Sequence, residues 1–185
     1  MHKITSILLA NIAAMTLAMP GMAQGNTAPK SLAPPPSAIT SGSPLIDYAG
    51  FEEVTAEVAD YRRQRLVKHA QFEIMAREKN VLVIDARSAA AFAQGHIKGA
   101  VNLPLPDFTA ESLAALIGPD MNRPILIYCN NNFTNNRRPV VTKMVRLALN
   151  IQTFINLYGY GYKNIWELGE AVDMDNPKVR WVSTV

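Results

Sequence analysis

The sequence predicts an α/β domain built on a mainly parallel sheet. Three observations carry that prediction. From residue 66 onward, short apolar runs alternate with stretches of helical spacing, the order of parallel strands joined by crossover helices. The runs Val81-Leu82-Val83-Ile84 and Ile125-Leu126-Ile127-Tyr128 show no polar alternation, as in strands buried on both faces. The chain has 185 residues, 49% hydrophobic and 18% charged, with mean hydropathy +0.03, which suffices for one core without staples.

The elements follow in order. Residues 1–23 carry Lys3, an apolar stretch from Ile4 to Met19, the breaker Pro20-Gly21 and small residues ahead of a cut after Ala23. This is the layout of a secretory signal peptide, so a periplasmic or secreted protein is expected, with no stable membrane insertion after cleavage. An uncleaved anchor is the alternative, although the run is barely long enough to span a bilayer. Residues 24–44 are rich in Pro, Ser, Gly, Ala and Thr and read as an extended tether.

Residues 45–65 form an N-terminal extension ahead of a domain spanning 66–185. Phe51, Val54, Val58 and Tyr61 stand at helical spacing there. The basic group Arg62, Arg63 and Arg65 reads as solvated surface, against an anion site. Leu66-Val67 is a very short strand, and residues 69–79 a helix turning Phe72, Met75 and Ala76 inward. After the strand at 81–84, Ser88 caps a short helix that Gly95 stops. Residues 100–103 form the next strand, and a helix runs from Thr109 or Ala110 to Ile117 before Gly118-Pro119. The strand 125–128 ends at Cys129 and the polar loop NNNFTNN. A helix is expected near Arg138-Pro139, where proline suits the first helical position, then a break at 149–154 and a short helix at 154–160. Asn164 to Leu168 is the last strand.

Composition narrows the chemistry. A single cysteine excludes an intramolecular disulfide and a cysteine-rich zinc site, and three histidines argue against a histidine-based metal site. No metal and no cofactor is expected. The formal charge of +3, from 18 basic against 15 acidic residues spread along the chain, argues against nucleic acid as a partner.

Cys129 stands at the carboxyl end of a strand, where ligands gather in open α/β sheets. A nucleophilic thiol needs a lowered pKa, which a helix N-terminus and nearby cations supply. If the following loop curls around the sulfur, its N–H groups form an anion nest. Asn130, Asn131, Asn132, Asn135 and Asn136 suit such a loop, because asparagine tolerates left-handed backbone angles and bonds its own chain. Phe133 would wall the nest, Thr134 lies within it, and Arg137-Arg138 close it. The alternative is a structural cysteine beneath a polar surface loop. His96, just after a helix stop, reads as a turn cap rather than a base.

Two stretches together resemble the rhodanese-like domain family. In VLVIDARSAAAFAQGHIKGAVNLP (81–104) the matching residues are Asp85, Arg87, Phe92, Gly95, His96, Ile97, Gly99, Ala100, Asn102 and Pro104. PILIYC (124–129) with GYKNIWEL (161–168) is similar to the family's catalytic and last strands. The resemblance implies a five-stranded, mainly parallel sheet with helices on both faces. It implies that Cys129 carries sulfane sulfur as a persulfide, taken from a small donor such as thiosulfate and passed to a thiol or other nucleophile. Asp85, Arg87 and His96 are then scaffold residues, and Gly99 and Ala100 permit close packing. The chain departs from the family in Ala91, where an acidic residue is usual, and in a long, glycine-free loop from Cys129 to Arg138. Related phosphatases and arsenate reductases use Cys-x5-Arg, but Asn135 occupies that arginine position. The expectation is therefore an exported sulfurtransferase, with a non-catalytic binding module as the alternative and a phosphatase or arsenate reductase less favoured.

Overall fold

The computed structural model describes residues 45–183, which lie in one compact unit. The expected leader, its cut after Ala23 and the tether 24–44 lie outside the described residues. Among those residues, no helix is long and apolar enough to cross a membrane.

The strands are β1 (Leu66–Val67), β2 (Leu82–Asp85), β3 (Gly95–Ile97), β4 (Val101–Asn102), β5 (Ile125–Tyr128), β6 (Ile165–Leu168) and β7 (Trp181–Ser183). Five form one sheet in the order β1-β6-β5-β2-β4, every pairing parallel. The expected fold class is thus observed, with β5 at the centre. The pleat sends alternate side chains to opposite faces. On one face Leu82, Ile84, Ile125 and Ile127 join a core with Leu113, Phe154 and Leu157. On the other, Val83, Leu126 and Tyr128 pack with Phe72, Ile97 and Phe133. Two covered faces explain why these strands are continuous apolar runs.

The helices are α1 (Tyr48–Arg63), α2 (His69–Met75), α3 (Ala89–Gln94), α4 (Ala110–Ile117) and α5 (Leu149–Gly159). Caps fall where small polar residues permit them. Ser88 accepts from Ala91 N, and Thr109 and Ser112 form a reciprocal box at the start of α4. Helix α2 ends at Met75, short of the expected 79. Gly99 adopts φ 88° with nothing near a would-be Cβ, so its need is left-handed backbone, not the close packing expected. Close approach occurs instead at Gly95, where a Cβ would lie 2.5 Å from the Trp181 indole nitrogen. That contact sits in the antiparallel pair β3–β7, which the sequence pattern does not reveal.

Helix α1 packs on α5. The Tyr61 ring lies tilted at 5.4 Å from Tyr158 and edge-on at 6.4 Å from Phe154, Val58 is buried, and the Tyr158 hydroxyl meets Glu57. The basic group at its end is solvated surface only at Arg63; Arg62 and Arg65 are half-buried. Arg62 forks onto Glu167, Arg63 pairs with Asp60, and Arg65 lies 4.5 Å over the Trp166 ring and 4.7 Å over Tyr61.

The largest departure from the sequence expectation follows Cys129. No helix starts at Arg138-Pro139, whose peptide bond is cis. Asparagine side chains bind the backbone there instead. Asn136 Oδ1 accepts from Thr142 N, and Asn131 both accepts from Lys143 N and donates to its carbonyl. The run Val140-Val141-Thr142 is also β-branched, which disfavours helix. The helix runs through the expected break, because Ile151, Phe154, Ile155 and Tyr158 form a continuous apolar stripe toward the core.

Candidate active site

Cys129 follows β5 directly and is completely buried, at 0% exposure. Its environment is built from two segments. The turn Asn130–Asn132 folds back so that Sγ accepts from the Asn132 N–H, while Asn132 Oδ1 accepts from the Cys129 N–H at 2.8 Å. From across the loop comes the N-terminus of α5. Its cap residue, Ala148, offers no side-chain acceptor, so the first helical N–H groups are otherwise unfilled. The N–H groups of Leu149 and Asn150 act on the thiol together with that of Asn131. The sulfur thus takes the place of a helix cap.

The groups around the sulfur differ from the nest expected of the loop 129–138. Burial pushes the thiol pKa up. The N–H groups of Asn131, Asn150 and Leu149 oppose that rise, and the Glu167 carboxylate adds to it. The net shift is upward, opposite to the lowered pKa expected from the sequence. Arg137 and Arg138 are not among the groups acting on the sulfur. Arg137 Nη2 donates to both oxygens of Asp175 at 2.7 and 2.8 Å, and Arg138 lines a cleft. Phe133 is no wall of the site but core, set edge-on to Tyr128 and Trp181. Thr134 is anchored through its N–H to Val172, and Asn135 through its Oδ1 to Met174 N. None of the five asparagines has a positive φ. They serve by capturing backbone groups at a distance, not by turning the chain locally.

Beside the cysteine lies an open cleft of about 540 Å³. Its walls include Ala86, Ala90, Pro104, Leu105, Val141 and the cations Arg138 and Lys143. Cys129 does not line it, but its neighbour Asn130 and the α5 residue Leu149 do.

The strap is fixed by a buried polar network. Asp85 sits at 0% exposure and Arg87 at 1%. Arg87 donates to Asp85 through Nε and Nη2, the latter at 2.6 Å, to Gly95 O at 2.7 Å and to Pro139 O at 3.1 Å. Burial works against the guanidinium charge, and Asp85 more than restores it, so the Arg87 pKa is raised. The Tyr128 hydroxyl donates to Asp85 at 2.7 Å and accepts from Ile97 N; burial, reinforced by Asp85, raises its pKa well above the usual phenol range. Asn102 ties the carbonyls of Asp85 and Arg87. His96 stacks on Phe92 at 3.8 Å and bonds the Phe92 carbonyl, at the end of α3. The contacts of Asp85, Arg87 and His96 are all made within the fold.

Sequence reasoning missed Glu167, Asn150 and Arg62. Glu167 is 4% exposed, and a carboxylate inside the apolar run Ile165-Trp166-Glu167-Leu168 was the available signal, because such a charge demands a partner. Among the described residues, no cluster of His, Cys, Asp and Glu could hold a metal ion.

An open parallel sheet with a thiol at the carboxyl end of its central strand, beneath a helix N-terminus, defines an α/β domain built around one cysteine. The family model described as the rhodanese-like domain matches residues 68–169. The chain belongs to the rhodanese-like domain family. It is 37% identical over 62 residues to the thiosulfate sulfurtransferase GlpE of Shewanella oneidensis, a stretch covering 33% of this chain and 56% of that protein. The chain thus spans about half the length of this curated relative. Among solved structures it is similar to the rhodanese-like domain of the Alr3790 protein from Anabaena, at 17% identity over 56% of this chain and 67% of that one, with TM-score 0.41. Protein hp1203 of Helicobacter pylori matches at 17% identity over 66% of this chain and 92% of that one, with TM-score 0.42.

Proposed function

We propose that the protein is an exported sulfurtransferase that carries sulfane sulfur as a persulfide on Cys129. The observation that supports this best is the place of Cys129, directly after the central parallel strand and against the first turn of α5, whose Leu149 and Asn150 N–H groups favour an anionic sulfur against the cost of burial. Membership of the family and the likeness to a thiosulfate sulfurtransferase support the same reading. The thiolate attacks the outer sulfur of thiosulfate, the S–S bond of the donor breaks, and sulfite leaves with the electron pair. A thiol or other nucleophile then attacks the terminal sulfur, and the Cys129 thiolate leaves. No cofactor or metal enters either step. Export to the periplasm or beyond rests on the pattern of residues 1–23.

Thiosulfate is expected to add the mass of one sulfur to the wild-type chain and none to Cys129→Ser, read by intact-mass spectrometry. A wild type that gains nothing from thiosulfate or an organic persulfide overturns the carrier reading. The full burial of Cys129 favours the second reading, a binding module without turnover, and that outcome would select it.

The raised thiol pKa also sets a pH profile. Below that pKa the thiol holds its proton, so the reactive fraction grows about tenfold per pH unit as pH rises toward it. The initial rate of sulfur uptake is expected to climb steadily between about pH 6 and about pH 8.5. A rate already flat from pH 6 would mean a lowered pKa and contradict the environment described here.

A further inference from the structure

A chain of hydrogen bonds, half-buried at Arg62 and buried beyond it, runs from α1 to the Cys129 backbone, and the family domain alone does not contain it. Arg62 lies ahead of the matched residues 68–169. Its Nε and Nη2 each reach a different oxygen of Glu167 at 2.6 Å. Glu167 Oε1 also accepts from the Asn150 side chain at 3.2 Å, and that same nitrogen donates to Asn132 Oδ1 at 2.8 Å. Asn132 holds the Cys129 backbone, and the Asn150 N–H, in the first turn of α5, opposes the rise in the thiol pKa. Asn132 is further pinned by the carbonyl of Leu168 on β6.

One detail shows that this arrangement is imposed. The Asn150 side-chain oxygen is buried without a hydrogen-bond partner. Leaving such an acceptor unfilled costs about 1–3 kcal/mol. The opposite amide orientation would set that oxygen against Glu167 Oε1 and Asn132 Oδ1, three acceptors together. The carboxylate and Asn132 Oδ1 together fix the orientation of Asn150, and Arg62 makes the buried carboxylate tolerable.

We propose that Arg62 and Glu167 are positioning residues for Cys129: the α1 guanidinium masks a buried carboxylate behind the thiol, and that carboxylate holds Asn150 so that the first turn of α5 stays aimed at Sγ. The N-terminal extension is then part of the site. The significance for sulfur transfer rests on the carrier reading above, but the electrostatic claim does not.

Other charges around the thiol are accounted for. Helix α5 and the turn after Cys129 carry no acidic or basic residue. At the end of the neighbouring strand β2, Asp85 and Arg87 hold each other. The Glu170 carboxylate turns to the His69 N–H, Lys143 meets Asn131 through its backbone only, and Arg146 is exposed.

The test is the pH midpoint of Cys129 alkylation by iodoacetamide, measured on the folded chain by mass spectrometry. Arg62→Met unmasks Glu167 and is expected to raise the midpoint by roughly half a pH unit or more. Glu167→Gln removes the charge while keeping an oxygen for Asn150, and is expected to lower it by a similar amount. The double variant should fall below Arg62→Met. Arg62→Lys, which keeps the charge, should stay near wild type and guards against loss of folding in the methionine variant. A structural role alone would not give shifts of opposite sign. Midpoints that stay put in Arg62→Met and Glu167→Gln, or that move together, overturn the proposal. Persulfide formation is read separately with thiosulfate. Opposite shifts without sulfur uptake remove the carrier reading and keep this one; sulfur uptake with unmoved midpoints does the reverse.

Discussion

Replacing Arg87 with alanine is expected to cost the domain about 3–5 kcal/mol, the range for breaking a buried ion pair by removing one partner. The side chain is 1% exposed and Asp85 is 0% exposed, so water cannot replace the guanidinium. Asp85 would keep only the Tyr128 hydroxyl and the Arg87 backbone N–H as donors. Two carbonyls, of Gly95 and Pro139, would lose theirs. The Trp181 ring, 5.2 Å from the guanidinium, would lose its cation. With total stabilities of about 5–15 kcal/mol for such domains, this is a large share. Urea unfolding followed by tryptophan fluorescence would measure it. Arg87→Lys keeps the charge but cannot span three partners, so an intermediate loss is expected. A loss below about 1 kcal/mol in Arg87→Ala would mean that the pair is not closed in solution. Because Arg87 holds Pro139, the same variant should loosen the strap at the cleft and speed alkylation of Cys129.

Removing residues 1–63 is expected to have an effect of similar size, although these residues lie ahead of the family match. Without α1, Glu167 keeps a buried charge with no cation, again about 3–5 kcal/mol. The apolar surface of Phe154 and Tyr158 loses Tyr61, and the burial of Val58 alone is worth about 1.5–3 kcal/mol. A chain beginning at Gln64 should unfold at much lower denaturant or fail to fold. Adding Glu167→Gln to the shortened chain should recover part of the loss, because it removes the charge but not the exposed apolar face. Unchanged thermal stability in the shortened chain would show that α1 is an appendage.

Much of the fold was legible because strands buried on both faces leave a local signature. β2 and β5 are apolar at nearly every position, and Ser88, Thr109, Gly95 and Gly118 punctuate the helices between them. The antiparallel pair β3–β7 was not legible. Its register joins Gly95 to Ser183, residues far apart in sequence, and nothing in either three-residue segment names its partner. The break assigned to 149–154 failed because its apolar stripe reads as helix only when the preceding residues are known not to be one. Asn131 and Asn136 prevent that earlier helix by bonding backbone groups across the loop, which no local propensity predicts.

The candidate site divides the same way. Sequence by itself determined that one cysteine stands at the carboxyl end of a parallel strand and that His96 follows a helix stop, because strand ends and turn residues are local properties; the scaffold roles of Asp85 and Arg87 came from the family resemblance. Only the tertiary structure decided what surrounds the sulfur. The polar loop suggested a nest closed by Arg137 and Arg138, yet Asp175 takes Arg137 away and Arg138 turns to the cleft. The N–H groups come from α5 as well as from the turn after Cys129, and the charge comes from Glu167 under the mask of Arg62. Electrostatics at a buried thiol depend on distance and burial, and both are set by which elements pack together.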